Sequence, residues 1–266
     1  MEIKRIKLFI NENEKSIKVA QHLKKELIKY NFEIVDKDYD LAISVGGDGS
    51  FLRMVKATNF NENIYYIGVN SGTLGFLQEI NIEDTSDFVK RLSLGKYKVE
   101  KLSIQETSVR TDKKEFHYKS LNEIVVRNKY FKTERLLVKV DDELLENFTG
   151  DGLLISTSTG STAYNMSFGG SIVYNTLKTL SITPIAPLNN KAYKSLTNSI
   201  IIPDNKVVKI IPAEGSGNMF FMVDGVNKEI DNVNKIETKV GDRTIKCLRM
   251  NDYHFIRIVN DKILEK

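Results

Sequence analysis

One aspartate interrupts a glycine-rich turn near the start of the chain. Residues 41–55, LAISVGGDGSFLRMV, give an apolar strand pattern, then GGDG, then a helical pattern. Such turns bind phosphate, because backbone N–H groups and the positive end of the helix face the anion. A carboxylate suits that site only if it binds Mg²⁺ or accepts a proton from an attacking hydroxyl. Asp48 therefore points to phosphoryl transfer, although a plain turn with Asp48 and Ser50 capping the helix explains the four letters equally well.

A second glycine-bearing stretch, IGVNSGTLGFL at residues 67–77, follows another strand pattern. Open α/β sheets bind ligands at the carboxyl ends of their strands, so this stretch is predicted to be a second loop of the same site. Phe76 beyond the loop is either a lid over a planar base or a core side chain.

A third stretch, residues 148–173, contains five glycines, many hydroxyl side chains, Asp151 and Tyr164. Closely spaced hydroxyls and backbone amides suit a nucleoside, which has many hydrogen-bonding edges. A surface loop is the alternative interpretation. The apolar residues 153–155 place the stretch next to a strand, and residues 163–168 have a helical pattern.

Two kinds of element must position these residues. Up to about residue 98, strands alternate with helices, including helices predicted at 14–30, 50–58 and 85–94, which is typical of a parallel sheet with a Rossmann-like α/β domain. From residue 99 to 247, β-branched alternation and turns such as PDN and VDG predict a mostly β, sandwich-like domain. The last strand-like segments, TIKCLRM and HFIRIVN, fit either domain, so residues 248–266 are a candidate completion of the first.

Composition narrows the function classes. The chain has 266 residues and a formal net charge of +4, too mild and scattered to predict a nucleic-acid partner. No run of about 18 apolar residues and no signal peptide are visible, so a cytoplasmic protein without a membrane partner is expected. The three histidines lie far apart, the single Cys247 has no companion at metal-ligand spacing, and no metal ligand is assigned.

The motifs together resemble the NAD kinases. The resemblance rests on GGDG at 46–49, GVNSGTLGFL at 68–77, NE at 122–123 and TGDGLLISTSTGSTAYNMSFGG at 149–170, in that order. It implies a cytosolic enzyme that phosphorylates the 2′-hydroxyl of the adenosine ribose of NAD⁺, with ATP and a divalent cation, Mg²⁺. A diacylglycerol-type lipid kinase would also have GGDG, and a non-catalytic NAD-binding regulator would also have the pocket.

The resemblance also implies roles for individual residues. Asp48 would be the general base, and the donor phosphates would bind Gly46, Gly47 and Gly49. The residues implied to bind substrate are Gly49, Phe76, Asn122, Glu123, Asp151, Thr159, Thr162, Ala163, Tyr164, Ser167, Ala186, Tyr193 and Asp224. Relatives complete the pocket from a neighbouring subunit, here Asp151, Ala186 and Tyr193, so a homotetramer or dimer is expected.

The motifs say least about the binding site of the phosphoryl donor. Arg53 and Lys56, one turn into the helix after GGDGS, either add positive charge beside a phosphate chain or form an ordinary solvated face. No second nucleoside pocket is recognisable, so ATP is expected to be weakly discriminated from other triphosphates and polyphosphate. Ser50, Thr73, Thr159 and Met166 differ from the residues usual in the family at these positions.

Overall fold

The computed structural model describes residues 2–72, 75–214, 216–250 and 252–264. Thr73 and Leu74, which include one of the family departures, lie outside the described residues. The chain divides into two compact units, one made of Met1–Leu102 with Thr244–Lys266 and the other of Ser103–Arg243.

The first unit is built on a parallel sheet with the strand order β2-β1-β3-β4. Its elements in chain order are β1 (Arg5–Ile10), α1 (Glu14–Lys29), β2 (Glu33–Ile34), β3 (Leu41–Gly46), α2 (Asp48–Ala57), β4 (Tyr65–Asn70) and α3 (Thr85–Ser93). β3 is buried along its whole length, because helices cover both faces of a parallel sheet. The Asn13 side chain caps α1 by accepting the Ser16 N–H at 2.8 Å.

The second unit consists of antiparallel strands. They are β5 (Tyr97–Thr111), which begins in the first unit, β6 (Glu115–Ser120), β7 (Glu123–Asn128), β8 (Glu134–Val140), β9 (Glu143–Gly150), β10 (Gly152–Thr157), β11 (Thr179–Ile185), β12 (Ile200–Pro203), β13 (Val208–Pro212), β14 (Met219–Val223) and β15 (Val226–Ile230). A one-turn 3₁₀ helix, Thr159–Thr162, and α4 (Tyr164–Ser167) follow β10.

Two sheets enclose the core of the second unit. One has the order β12-β11-β10-β7-β14-β15, and the other pairs β13 with β8 and β8 with β9. Apolar side chains from both sheets, such as Ile124, Phe148, Ile155, Ile210 and Phe221, form one buried cluster. The predicted fold class, an α/β domain followed by a mostly β domain, is confirmed.

The chain returns to the first unit at its end. β16 (Val233–Met250) pairs antiparallel with β13 through Ile236 and then parallel with β4 through Lys246 and Cys247. It is followed by α5 (Phe255–Val259) and one turn of π-helix, Asn260–Leu264. The prediction of a strand over HFIRIVN is wrong: Phe255 is buried and Ile256 is exposed, and the segment forms a helix. None of the helices among the described residues is long and apolar enough to cross a membrane.

Candidate functional site

Asp48 lies at the first position of α2, at the carboxyl end of β3. This corrects the predicted start of the helix at residue 50. The Asp48 carboxylate does not cap its own helix. Its Oδ2 accepts the Phe76 N–H at 2.7 Å and its Oδ1 accepts the Leu77 N–H at 3.0 Å. Asp48 therefore fixes the loop after β4 against the start of α2.

The loop after β4 packs closely against the Asp48 carboxylate. A Cβ at Gly75 would collide with Asp48 Oδ1, so only glycine allows the approach. The buried Gln78 donates from Nε2 to the Gly47 carbonyl at 2.7 Å. Gln78 was not predicted from the sequence, because it belongs to no phosphate-binding motif. Phe76 is half-buried beside this loop.

The electrostatics of Asp48 suit a proton acceptor. Burial raises the pKa of the Asp48 carboxyl above its ordinary value, while the N–H donors of Phe76 and Leu77 and the charge of Lys262 act in the opposite direction. A carboxylate with a raised pKa is a stronger base, provided that it stays ionised.

An open cleft of about 650 Å³ lies beside the glycine turn in the first unit. Gly47, Asn70 and Ser71 line it at the ends of β3 and β4, and Lys15 and Lys18 line it from α1. Gly46, Gly47 and Gly49 thus lie around the amino end of α2, where backbone N–H groups are free of intrahelical partners.

Arg53 is exposed one turn along α2. It donates to Ser50 Oγ at 3.0 Å and to Asn11 Oδ1 at 3.3 Å. These two bonds orient its guanidinium toward the end of β1, where Asn11 also lines the cleft.

In the second unit, Asn122 and Glu123 lie where β7 begins, and both are buried. Asn122 Oδ1 and Glu123 Oε2 have no hydrogen-bond partner in the part of the chain that the structure describes. Buried polar atoms are normally paired, so unpaired oxygens of this kind mark a place for a polar ligand. Burial, followed by the charge of Asp224, raises the pKa of Glu123 to about 8, against the Tyr164 N–H that donates to it.

Asp224 holds this turn in place. Its backbone has a φ of 45°, and its carboxylate accepts the N–H groups of Leu121 at 2.7 Å, Asn122 at 2.8 Å and Glu123 at 3.2 Å. Three donors to one carboxylate fix the direction in which the Asn122 and Glu123 side chains leave the backbone. The geometry of the second unit thus gives Asp224 a positioning role.

The GSTAY residues lie beside this turn. Gly160 approaches Asn122 so closely that a Cβ would collide with the Asn122 carbonyl. Thr159 and Thr162 are buried, and Thr159 Oγ1 has no partner among the described residues. Tyr164 is 39% exposed, with its ring edge-on to Phe168 at 4.7 Å, and it follows Ala163, which precedes α4. Ser167 is exposed at the end of α4.

Asn165 holds this segment together through buried hydrogen bonds. It is fully buried, it donates to the carbonyls of Ser161 and Ser171 at 3.3 Å each, and it accepts from Thr183 Oγ1 at 2.6 Å. Asn165 was not predicted from the sequence, because nothing in a hydroxyl-rich stretch distinguishes a buried asparagine from an exposed one.

Asp151, Ala186 and Tyr193 lie at the opposite end of β10. The Asp151 N–H donates to the Ile185 carbonyl at 2.9 Å, next to Ala186, which has a φ of 44°. The Tyr193 hydroxyl accepts from Arg135 at 3.1 Å. Glu123 pairs with Ser156, five residues along β10 from Asp151, a separation of about 17 Å at ~3.3 Å per residue. Within one copy, these two groups of predicted residues are therefore not brought together.

The described residues contain no group of three or more His, Cys, Asp or Glu side chains that could hold a metal ion. Mg²⁺ in phosphoryl transfer is usually bound by one or two carboxylates together with the substrate phosphates.

Comparison with known proteins agrees with this architecture. Residues 4–97 match the model of the ATP-NAD kinase N-terminal domain, and residues 121–250 match that of the ATP-NAD kinase C-terminal domain. The NAD kinase of Finegoldia magna is 37% identical over 268 residues, covering 97% of both chains.

Two solved structures share the fold. Yeast NADH kinase complexed with NADH has a TM-score of 0.83 at 20% identity and covers 98% of this chain and 87% of its own. An NAD kinase from Archaeoglobus fulgidus in complex with ATP has a TM-score of 0.78 at 20% identity and covers 99% of both chains.

The two matched domain models place the chain in a class of two-domain kinases, here with an aspartate in a glycine turn of the α/β domain and unpaired buried oxygens in the described part of the β domain. The chain belongs to the ATP-NAD kinase family.

Proposed function

We propose that this protein phosphorylates the 2′-hydroxyl of the adenosine ribose of NAD⁺ to give NADP⁺, with Asp48 as the general base. The observation that carries the proposal is the placement of Asp48. Its carboxylate is partly buried at the amino end of α2 and is fixed by two backbone N–H groups, and the preceding residue, Gly47, lines an open cleft. A base in that position serves phosphoryl transfer to an alcohol.

The proposed step conserves atoms and charge. The 2′-oxygen forms a bond to the γ-phosphorus of ATP as Asp48 takes the hydroxyl proton. The bond between the γ-phosphorus and the oxygen that bridges it to the β-phosphorus breaks, and ADP leaves with that electron pair. Loop amides at Gly46, Gly47 and Gly49, with Arg53, would neutralise the developing charge on the phosphoryl oxygens.

ATP as the donor is supported by the complex of the Archaeoglobus fulgidus relative. Lys15 and Lys18 of α1 line the cleft beside Gly47, together with Glu14, which pairs with Lys18 at 2.5 Å. The net positive charge that remains suits a polyphosphate chain. Mg²⁺, when bound with ATP, would supply further neutralisation of the phosphates. Tolerance of other triphosphates and of polyphosphate stays a prediction.

The second unit would bind the dinucleotide. The unpaired buried oxygens of Asn122, Glu123 and Thr159 would accept hydrogen bonds from a nucleoside, with Thr162, Ala163 and Tyr164 beside them. Because the pKa of Glu123 is about 8, this side chain keeps its proton at neutral pH, so it can donate one hydrogen bond and accept another.

We also propose that a neighbouring copy completes the pocket. Asp151 and Ala186 lie about 17 Å along β10 from Glu123, so one copy does not present both groups at the same place. A homotetramer or dimer, in which Asp151, Ala186 and Tyr193 of one copy serve the site of another, resolves this separation. The cytoplasm is the location that the family resemblance implies.

The test is to incubate the purified protein with NAD⁺, ATP and Mg²⁺ and to detect NADP⁺ with an NADP⁺-specific dehydrogenase. We expect NADP⁺ to accumulate with ADP in equal amounts. An NAD⁺ analogue with a 2′-deoxyadenosine should bind and inhibit without being consumed. Phosphate on a lipid or on a 3′-hydroxyl, or binding of NAD⁺ with no turnover, would overturn the proposal.

A further inference from the structure

The C-terminal segment places a cation next to the loop that Asp48 fixes. Lys262 lies in the π-helical turn after α5 and is half-buried. Its ammonium is 5.8 Å from the centre of the Phe76 ring, and the Phe76 N–H donates to Asp48 at 2.7 Å. Cation–π contacts act at separations up to about 6 Å, so Phe76 contributes to holding the ammonium over this loop.

Asp48 and Lys262 attract each other electrostatically. The charge of Lys262 favours ionised Asp48, and the charge of Asp48 in turn favours protonated Lys262. Burial opposes the charged form of both groups, which lowers the pKa of Lys262 and raises that of Asp48. Each charge thus offsets part of the desolvation cost of the other.

Three other charged groups act on Lys262, and two of them, Glu79 and Arg249, are paired with each other. Glu79 also attracts Lys262, but its carboxylate is bonded to Arg249 at 3.1 Å and to the Met250 N–H at 2.9 Å. Arg249 acts on Lys262 in the opposite direction, and the neighbouring Asp261 favours the protonated ammonium.

A cavity of about 280 Å³ runs along Gln78, Glu79 and Lys262. Further charged or titratable groups that line it are Asp84, Asp87, Arg91, Asp252, Tyr253, His254, Arg257 and Asp261. Arg91 is paired with Asp87 at 2.6 Å and with Asp252 at 3.1 Å.

A buried ion network holds the end of β16, which leads into the C-terminal segment. Arg249 is 6% exposed and pairs with Glu79 at 3.1 Å and with Glu100 at 2.6 Å, and its guanidinium lies 4.3 Å from the centre of the Tyr253 ring. Phe255 is buried a few residues later. Through Glu79, these contacts tie the end of β16 to the segment that follows β4.

We propose that Lys262 is a positioning residue for the reaction: its ammonium is the electrostatic partner of Asp48 and stabilises the carboxylate form that receives the 2′-hydroxyl proton. This inference rests on the proposed function of Asp48. It assigns the C-terminal segment to the site, although that segment contains none of the family motifs.

The test compares pH profiles of kcat/KM for the wild-type protein, Lys262→Met and Lys262→Arg. Without the ammonium, ionised Asp48 is less favoured. The low-pH side of the kcat/KM profile, called the acidic limb, should therefore move to higher pH by about one unit in Lys262→Met. At a fixed pH on that limb, kcat/KM should then be lower by about tenfold. Activity should recover toward the wild-type level at high pH. Lys262→Arg should restore the wild-type limb, because guanidinium keeps the charge.

Arg257→Met is the matched control, since it removes one positive charge from an exposed position of the same segment. It should leave the limb in place. An unshifted limb in Lys262→Met, or an equal loss at every pH that Lys262→Arg does not rescue, would overturn the inference.

A second readout separates this inference from the proposed function. The pKa of Asp48 is measured by ¹³C NMR with aspartate labelled at the side-chain carboxyl carbon, and Asp48→Asn identifies the resonance. Lys262→Met should raise that pKa whether or not the protein forms NADP⁺. If the pKa rises and the wild-type protein makes no NADP⁺, the electrostatic pair stands and the NAD kinase proposal fails. If the pKa is unchanged, the pair itself is wrong.

Discussion

Asp48 has a structural role in the loop after β4, and the proposed function gives the same carboxylate a chemical role. Both oxygens accept backbone N–H groups of the loop after β4, which fixes their direction but draws charge away from them. Burial acts the other way and raises the pKa. The two effects oppose each other, and the proposed base needs both an ionised form and an oxygen basic enough to accept the proton.

We expect Asp48→Asn to abolish NADP⁺ formation while NAD⁺ still binds. The amide is nearly isosteric and retains one oxygen for the loop, but it cannot accept the proton, so kcat should fall by about 10²- to 10⁴-fold. Initial rates and isothermal titration with NAD⁺ measure the two quantities. Asp36→Asn, at an exposed position of the same unit, is the control and should keep full activity. Near wild-type turnover in Asp48→Asn would remove Asp48 from the mechanism.

The raised pKa of Glu123 predicts that the free energy of unfolding depends on pH. Its pKa is about 8 in the folded chain and near 4.5 when unfolded, so between these values the folded state keeps a proton that the unfolded state loses. The free energy of unfolding should therefore fall as pH rises through this window, by up to ~1.4 kcal/mol per pH unit from this one group. Glu123→Gln is neutral throughout and should reduce that slope.

Urea unfolding at pH 6, 7, 8 and 9 measures the slope. Glu115→Gln, at an exposed position of β6, should leave it as in the wild-type protein. Equal slopes for the wild-type protein and Glu123→Gln would show that Glu123 is ionised across the range.

At the scale of elements, the candidate site of the second unit lies where the start of β7, a 3₁₀ turn and the short helix α4 meet. Gly160 is in contact with the Asn122 backbone, and Asn165 ties the turn to Ser161, Ser171 and Thr183. Because α4 has only four residues, it owes its stability to these tertiary bonds more than to its own helical propensity.

Gly160→Ala should therefore disturb the site more than its size suggests. The added Cβ would meet a backbone carbonyl, which cannot rotate away, and overpacking of this kind costs about 1–3 kcal/mol. We expect lower stability in urea and weaker NAD⁺ binding, because Asn122 must move. Gly169→Ala is the control: its Cβ meets open space, and only the φ of 73° adds strain, ~1 kcal/mol. Equal NAD⁺ affinities for the two variants would contradict the tight contact.

Some element boundaries could be predicted from the sequence and others could not. Helices α1 and α3 were predicted to within a residue or so at each end, because their apolar positions repeat at helical spacing. The GGDG turn was predicted from its flanks, but the start of α2 at Asp48 was not, since glycine at 47 and 49 weakens the helical pattern. The strand predicted over HFIRIVN was wrong for another reason, because a short apolar run with β-branched residues does not distinguish a strand from a helix.

Side-chain contacts between residues far apart along the chain could not be predicted from the sequence. Arg249 meets Glu79 and Glu100, and Lys262 lies over Phe76, across separations of 149 to 186 residues along the chain. No spacing rule links such residues. The unpaired oxygens at Asn122 and Thr159 depend equally on burial, which only the folded chain defines.

At the scale of the whole molecule, the chain leaves the first unit near residue 102 and returns to it near residue 244. The residues assigned to chemistry thus come from both ends of the chain, with Asp48 early and Lys262 at the end. Apart from Gly49 and Phe76, the residues assigned to the dinucleotide come from the continuous middle of the chain, and they fall into two groups at opposite ends of β10.

That division predicts complementation between copies. If Asp151 and Tyr193 serve a neighbouring copy, a protein with Asp151→Ala and Tyr193→Ala should lose activity, as should Asp48→Asn. Co-refolding the two inactive proteins in equal amounts should restore about a quarter of wild-type activity, since by random pairing a quarter of the sites combine an intact Asp48 with an intact neighbouring Asp151 and Tyr193.

The control mixes Asp48→Asn with a chain that carries all three substitutions, in which every copy lacks Asp48 and no activity should return. Size-exclusion chromatography of the active mixture should show an oligomer that contains both proteins. If mixing restores nothing although mixed oligomers form, then Asp151 and Tyr193 act within their own copy. The separation of about 17 Å along β10 would then have to be bridged by a dinucleotide bound in one chain.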